Sequence, residues 1–285
     1  GVAWGPSAIK VRAGKASRML AEPTAMTEVQ IAETIERFAV TARRAEEAGF
    51  DGVEIHAAHG YLLSQFLSPL ANQRGDGWGG PLENRARLLL DIVRAVRAAV
   101  RPGFAVAVKL NSADFQRGGF DADVARRVID MLAPLGVDLV ELSGGSYESP
   151  AMSGRAVESD RAADAHTLAR EAYFLELARE LAATSPLPLM LTGGITRRPV
   201  AEEVVASGVD VVGMGTALAV DPELPNKWRT SNEAKVTLAP VKIEDKSIAS
   251  AAAMSRVRYQ LRRLGRGLGT RPGINPKLAL GIDQL

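Results

Sequence analysis

The chain has 285 residues, of which 46% are apolar and 24% charged, and its formal net charge is +2. These values are ordinary for a globular domain with one large core, and the charge balance gives no reason to expect a nucleic-acid or membrane partner. The absence of cysteine excludes disulfides, thiolate zinc sites and cysteine-ligated iron–sulfur clusters, and it fits a cytoplasmic protein.

Short β-branched runs alternate with longer helical patterns along the chain. Residues 1–30 predict at most one short strand, around Ala8–Val11. Thr27 and Gln30 then form a capping-box pattern, and three of the helices end at a glycine that leads directly into a strand. The predicted strands are Asp51–Ala57, Phe104–Leu110, Val137–Ser143, Leu187–Thr192 and Val209–Met214. The predicted helices are Ile31–Ala48, Glu83–Val100, Asp121–Leu135, Asp164–Ala183, Arg198–Ala206 and Lys246–Leu264.

The strands are nearly continuous in apolar residues, which is typical of a parallel sheet covered on both faces. Two architectures fit, a doubly wound sheet and a (β/α)8 barrel. Every strand ends in a polar or glycine-rich loop, and no G-x-G-x-x-G pattern follows the first strand, so the barrel is favoured. Only about five βα units are present, and we predict residues 1–230 as a barrel portion and 231–285 as a helical tail.

The richest candidate site follows the first strand, where His56, His59 and Tyr61 lie close together. Imidazoles can donate hydrogen bonds to a carbonyl oxygen, and a phenol can supply a proton as charge develops. Each histidine could instead be a buried structural residue, but two of the three histidines fall within four positions. No carboxylate ligands are obvious nearby, so we expect no metal.

Residues 49–85, which read GFDGVEIHAAHGYLLSQFLSPLANQRGDGWGGPLENR, resemble the signature of the Old Yellow Enzyme family. The match keeps the order and spacing of the family's residues and continues more loosely to about residue 220. Members of that family are flavin-dependent (β/α)8 ene-reductases, and this chain would be an N-terminally incomplete member.

The resemblance implies an FMN-dependent oxidoreductase that reduces the C=C bond of an α,β-unsaturated carbonyl or a nitro compound with NADH or NADPH. His56 and His59 would hold the substrate carbonyl oxygen, and Tyr61 would be the proton donor. Lys109 stands where the family has a cation, commonly arginine, beside the flavin ring. Because family members carry further flavin contacts upstream, we expect this polypeptide alone to bind FMN weakly or not at all.

The glycines after the last two strands imply a site for the FMN phosphate, because their backbone N–H groups can approach it closely. The family usually has an arginine after the last glycine, but here Thr216 takes that place, and Arg197 or Arg198 could compensate. The residues assigned to cofactor binding are Lys109, Gly193, Gly194, Gly215 and Thr216.

Several secondary expectations complete the sequence reading. Ser143–Gly145 with Tyr147 would line the substrate mouth, and Asp76 and Arg85 would form an ion pair. The arginine-rich tail helix is expected to dock on the barrel or on a second subunit, so a homo-oligomer is compatible with the sequence. Two other functions remain open: a Schiff-base lyase or aldolase using Lys109, and an inactive remnant or assembly subunit.

Overall fold

The computed structural model describes residues 2–11, 20–114, 116–143, 175, 177–239 and 241–283. The chain divides into two compact units. The first comprises residues 1–151, 176–191 and 209–211, and the second comprises residues 152–175, 192–208 and 212–285. The sequence boundary at residue 230 between barrel and tail stays a prediction.

The first unit begins with two very short strands, β1 (Trp4–Gly5) and β2 (Thr24–Ala25), which pair in parallel. The prediction of a strand at Ala8–Val11 is wrong. That segment follows a tight turn, in which the Ile9 N–H donates to the Ser7 carbonyl at 2.8 Å. The backbone is therefore diverted before it can extend along a neighbour.

Helix α1 (Glu28–Glu47) begins at the predicted capping box. Thr27 accepts from the Gln30 N–H at 3.3 Å, and the Gln30 side chain accepts from the Thr27 N–H at 2.9 Å. These bonds satisfy backbone donors that a helix start leaves without intrahelical partners. The helix ends at Ala48, and Gly49 follows with φ 88°, a left-handed conformation that favours glycine.

The remaining elements of the first unit alternate between helix and strand as predicted, with one addition. The short helix α2 was not predicted, because its six residues follow the histidine loop without a side-chain cap. Residues 177–182 are also helical, within the range predicted for the helix Asp164–Ala183. The elements are β3 (Gly52–Ala57), α2 (Leu62–Leu67), α3 (Leu82–Ala99), β4 (Ala105–Asn111), α4 (Ala122–Leu132), a 3-10 turn (Ala133–Leu135), β5 (Leu139–Ser143) and β6 (Leu189–Thr192).

The main sheet has five strands in the order β3-β4-β5-β6-β7, where β7 is Val211–Gly213. Strands β3 to β6 are parallel neighbours, which confirms the predicted architecture. Asp210 fixes the start of β7, since its N–H donates to the Leu189 carbonyl and its carboxylate accepts from the Leu189 N–H.

The two faces of this sheet differ in chemistry because successive side chains point to opposite sides. One face is apolar and fully buried, with Ile55, Val106, Val108, Leu110, Val140 and Leu142. The opposite face carries Glu54, His56, Lys109 and Glu141, where His56 is in register with Lys109 and Lys109 with Glu141. The functional candidates of the first unit therefore share one face.

The second unit contains five helices among its described residues: α5 (Arg198–Ala206), α6 (Gly215–Val220), α7 (Leu224–Trp228), α8 (Lys246–Leu264) and α9 (Pro276–Asp283). Helix α8 confirms the predicted tail helix. It packs against α6 and α9 and buries Ala252, Ser255 and Gln260, while Arg258 and Arg262 pair with Asp283 of α9. Among the described residues, no helix is both long enough and apolar enough to cross a bilayer.

Candidate functional site

His56 lies near the carboxyl end of β3 and contacts both other residues of the predicted group. Its ring centroid is 5.1 Å from that of His59 and 5.0 Å from that of Tyr61, with edge-to-face geometry in both pairs. The Ala58 N–H donates to His56 Nδ1 at 3.2 Å. Because Nδ1 accepts, the neutral ring carries its proton on Nε2, which is then a donor.

His59 has an unusual backbone for its residue type. Its φ is 61°, and it is the one non-glycine residue with positive φ in the described part of the chain. Two contacts hold this conformation: the His59 N–H donates to Asn111 Oδ1 at 3.0 Å, and Nε2 lies 2.6 Å from Ser143 Oγ. Asn111 ends β4 and Ser143 ends β5, so the two neighbouring strands fix the histidine loop.

Both imidazoles are held in the neutral form near pH 7. Burial lowers the pKa of His59 to about 4, and the neighbouring His56 and Lys109 act in the same direction. Burial also lowers the pKa of His56, again with a contribution from the Lys109 charge. A neutral imidazole can donate one hydrogen bond without placing a full charge beside a substrate.

Tyr61 precedes α2, at the N-cap position. Half of the residue is exposed to solvent, while its ring still packs edge-on against His56. The phenol thus lies next to a hydrogen-bond donor and at a surface that a small molecule can reach. The structure brings His56, His59 and Tyr61 together as the sequence predicted.

Lys109 forms an ion pair with Glu141 on the adjacent strand. Its side chain is 17% exposed and that of Glu141 is 5% exposed, so neither is an ordinary solvated surface charge. Glu141 also contacts Glu54, whose pKa is raised to about 7 by burial and by the neighbouring Glu141 carboxyl. Sequence reasoning assigned no role to either glutamate, although Glu54 shares the strand face of His56.

The predicted phosphate loops lie in the second unit. Gly194 has φ 68°, and outside the chain neighbours and the adjoining helix backbone no described atom lies within 4 Å of the Cβ position of Gly194 or Gly215. Thr192 ends β6, and its hydroxyl is buried without a hydrogen-bond partner in the described part of the chain. The open space at each glycine and the unsatisfied hydroxyl are each compatible with a phosphate ester, so these residues are compatible with FMN.

Arg197 and Arg198 are the predicted substitutes for the arginine that the family usually has at the position of Thr216. Arg198 pairs with Glu202 and donates to the Trp228 carbonyl. Its guanidinium is therefore engaged within the second unit. Arg197 precedes α5 and forms an isolated antiparallel bridge with Lys235.

Other predicted features have mixed outcomes. The predicted Asp76–Arg85 ion pair is wrong, because Asp76 pairs with Arg74 at 2.6 Å. Arg85 instead donates to the backbone carbonyls of Leu67 and Gly80. Of the predicted substrate mouth, Gly144, Gly145 and Tyr147 lie outside the described residues. Within those residues, no group of three or more histidine or acidic side chains is arranged to bind a metal.

The comparisons with known proteins agree with the sequence resemblance. Residues 4–234 match the model of the NADH:flavin oxidoreductase / NADH oxidase family. The chain belongs to that family, whose name specifies a flavin and NADH as the redox partners. This confirms the family and the cofactor class that the sequence resemblance indicated.

Individual relatives agree with this assignment. The chain is 42% identical over 226 residues to an NADH-dependent flavin oxidoreductase iliE of Hypocrea jecorina (strain QM6a), covering 76% of this chain and 55% of the relative. A 2-naphthoyl-CoA reductase solved with 2-naphthoyl-CoA aligns with a TM-score of 0.69 at 29% identity, over 80% of this chain and 34% of that one. An old yellow enzyme homologue from Zymomonas mobilis aligns with a TM-score of 0.58 at 26% identity, over 76% and 57%.

These alignments confirm the barrel type of the fold, since the old yellow enzyme homologue is of the class that the sequence predicted. The chain spans between about a third and somewhat over half the length of these proteins. The activity of the whole protein is therefore taken up below as a proposal.

Proposed function

We propose that this chain carries the substrate-polarising and proton-donating groups of an FMN-dependent oxidoreductase that reduces α,β-unsaturated carbonyl compounds with NAD(P)H. The observation that carries the proposal is the packed group of His56, His59 and Tyr61, in which His56 is in register with Lys109 on the neighbouring strand. The family match and the resemblance of residues 49–85 support it.

The two histidines would bind the substrate oxygen. His56 has its Nδ1 occupied by the Ala58 N–H, so its Nε2–H is the donor available to a carbonyl oxygen. His59 Nε2 contacts Ser143 Oγ, and this nitrogen would interact with both the serine hydroxyl and the substrate oxygen. Hydrogen bonds to the oxygen withdraw electrons from the conjugated alkene and make its β-carbon electrophilic.

Tyr61 would deliver the proton. Its ring lies beside His56, so a substrate whose oxygen is held by His56 has its α-carbon within the neighbourhood of the phenol. Donation from the phenol to that carbon completes the saturation of the double bond. The half-exposed position of Tyr61 allows the lost proton to be replaced from solvent.

Lys109 and, separately, the glycine loops of the second unit are the proposed cofactor-binding residues. The chemistry that FMN would supply here is hydride transfer to the β-carbon, with NAD(P)H as the source of the electrons. Lys109 would place a positive charge beside the ring, where negative charge accumulates on reduction. Thr192, Gly193, Gly194, Gly215 and Thr216 would surround the phosphate with backbone and hydroxyl donors.

A Schiff-base lyase is the second candidate, and the ion pair of Lys109 counts against it. A lysine that attacks a carbonyl must be uncharged, whereas Lys109 is held against the Glu141 carboxylate. Borohydride trapping with a carbonyl substrate separates the two, since only a Schiff base is reduced to a stable adduct.

The test is reduction of cyclohexenone by NADH or NADPH in the presence of excess FMN. We expect His56→Ala and His59→Ala to lower kcat/KM by about 100-fold or more, as removal of oxyanion donors does in other enzymes. Tyr61→Phe should lower kcat with little effect on KM, while Tyr259→Phe on helix α8 serves as the matched control. FMN is supplied in excess because the chain alone is expected to bind it weakly. Full activity in the double histidine variant would refute the proposal.

A further inference from the structure

Three charged side chains on neighbouring strands form a chain of contacts beneath the histidine pair. Lys109 of β4 pairs with Glu141 of β5, and Glu141 is hydrogen-bonded to Glu54 of β3. Glu54 and Glu141 are two strands apart, and the residue in register with Glu54 on the strand between them is Ala107. The small methyl group of Ala107 leaves room for the Glu54 side chain to reach across β4.

A hydrogen bond between two carboxyl groups requires a proton, because a carboxylate is only an acceptor. One of the two glutamates therefore carries a proton, and the pair bears one negative charge that Lys109 balances. The charged or titratable groups that face Glu54 are Glu141 and Lys109, with His56 two residues along the same strand. The pKa of Glu54 is raised to about 7, first by burial and then by this hydrogen bond and the Glu141 charge.

We propose that Glu54 is a positioning residue of the flavin site: through Glu141 it fixes Lys109, and the proton shared by the two carboxyls sets the net charge under the flavin ring. This inference rests on the proposed function, because it takes Lys109 as the cation that lies beside the flavin. With the proton in place the three side chains are neutral overall. When it leaves, they carry a net negative charge, which disfavours the more negative, reduced form of the flavin.

The first measurement uses the full chain without flavin. A carbon-detected NMR titration of the glutamate side-chain carboxyls should show Glu54 protonated well above the ordinary range of a carboxyl group. Glu141→Gln should shift the Glu54 titration to lower pH, because it removes the carboxyl with which the proton is shared. If Glu54 titrates like an exposed glutamate in the unchanged chain, or if Glu141→Gln leaves its titration in place, the carboxyl pair is refuted.

The second measurement compares the dissociation constants of oxidised and reduced FMN at pH 6 and pH 8.5. The preference for reduced FMN is the ratio of the two dissociation constants. Between pH 6 and pH 8.5 this preference should fall about tenfold more in the unchanged chain than in Glu54→Gln. A tenfold change is the scale of one added charge at close range in a partly solvated site. Glutamine keeps the donor to Glu141 and cannot ionise. The ionisations of the flavin itself are common to both proteins and cancel in the comparison.

Glu33→Gln is the matched control, since Glu33 forms only an exposed pair with Arg37 on α1, and it should behave like the unchanged chain. If both proteins bind FMN and the preference for reduced FMN depends on pH equally in Glu54→Gln and in the unchanged chain, the role of Glu54 is refuted and the proposed function is not. A chain with the expected carboxyl titration that binds neither form of FMN would instead refute the flavin site itself, and the charge role with it.

Discussion

The pH dependence of stability offers a direct test of the partly buried carboxyl of Glu54. Its pKa is raised from 4.5 to about 7, with burial as the largest cause. The unfolded chain therefore loses this proton at lower pH than the folded chain does. Between these values the folded state binds more protons, so the free energy of unfolding falls as pH rises from 4.5 to about 7.

The size of the effect follows from the pKa difference and the solvent exposure of Glu54. A shift of this size would correspond to about 3 kcal/mol if it acted fully on stability. Much of the Glu54 residue is exposed to water, and solvent screening reduces the expected contribution to about 1 kcal/mol. Glu54→Gln removes the titration and keeps a hydrogen-bond donor to Glu141.

His59 produces the opposite slope in an overlapping range. Its pKa is lowered from 6.5 to about 4, so the unfolded state binds more protons there and stability is lost as pH falls through this window. The two effects partly cancel in the unchanged chain. In Glu54→Gln the His59 slope, together with that of His56, is expected to appear without the opposing contribution of Glu54.

The assay is urea unfolding at pH 5 and pH 8 for the unchanged chain and Glu54→Gln. We expect the stability of the variant relative to the unchanged chain to rise by about 1 kcal/mol between the two pH values. Glu33→Gln should show no such change, because the side chain of Glu33 is exposed. If the free energies of unfolding of Glu54→Gln and the unchanged chain differ by the same amount at both pH values, the reasoning is refuted.

Three further predictions test other parts of the structure. Asn72→Ala should lower the free energy of unfolding by about 2–4 kcal/mol, since the Asn72 amide donates to two backbone carbonyls inside the loop, and Asn226→Ala on the surface should cost far less. Thr192→Val should leave urea stability unchanged or slightly raised, because the hydroxyl is buried without a partner among the described residues, but should weaken FMN binding. Ser143→Ala should raise KM for the enone by about tenfold with a smaller change in kcat, because it frees the His59 ring; an unchanged KM would contradict this role.

Local sequence signals predicted much of the fold. The capping box at Thr27 and the glycine after α1 specify helix ends through contacts between residues close in sequence, and both are found in the structure. The continuous apolar strands likewise gave the parallel sheet. Two predictions were wrong, the strand at Ala8–Val11 and the ion pair between Asp76 and Arg85. In both cases several nearby groups compete as partners, and the sequence does not show which of them forms the contact.

In the candidate site, too, contacts between residues close in sequence were predictable, whereas contacts between distant residues were not. His56, His59 and Tyr61 are close in sequence, so their contact could be predicted from one loop. The partners of His59 are 52 and 84 residues away along the chain, at Asn111 and Ser143. Such contacts depend on the register between strands, which a single sequence does not reveal.

The backbone of His59 connects the two parts of this site. A non-glycine residue at φ 61° costs on the order of 1–2 kcal/mol, so it persists only where surrounding contacts favour it. Here those contacts come from the ends of β4 and β5, the strands that also carry Lys109 and Glu141. The placement of His59 and that of Lys109 therefore depend on the same strand register, and a change that shifts β4 against β5 should displace both together.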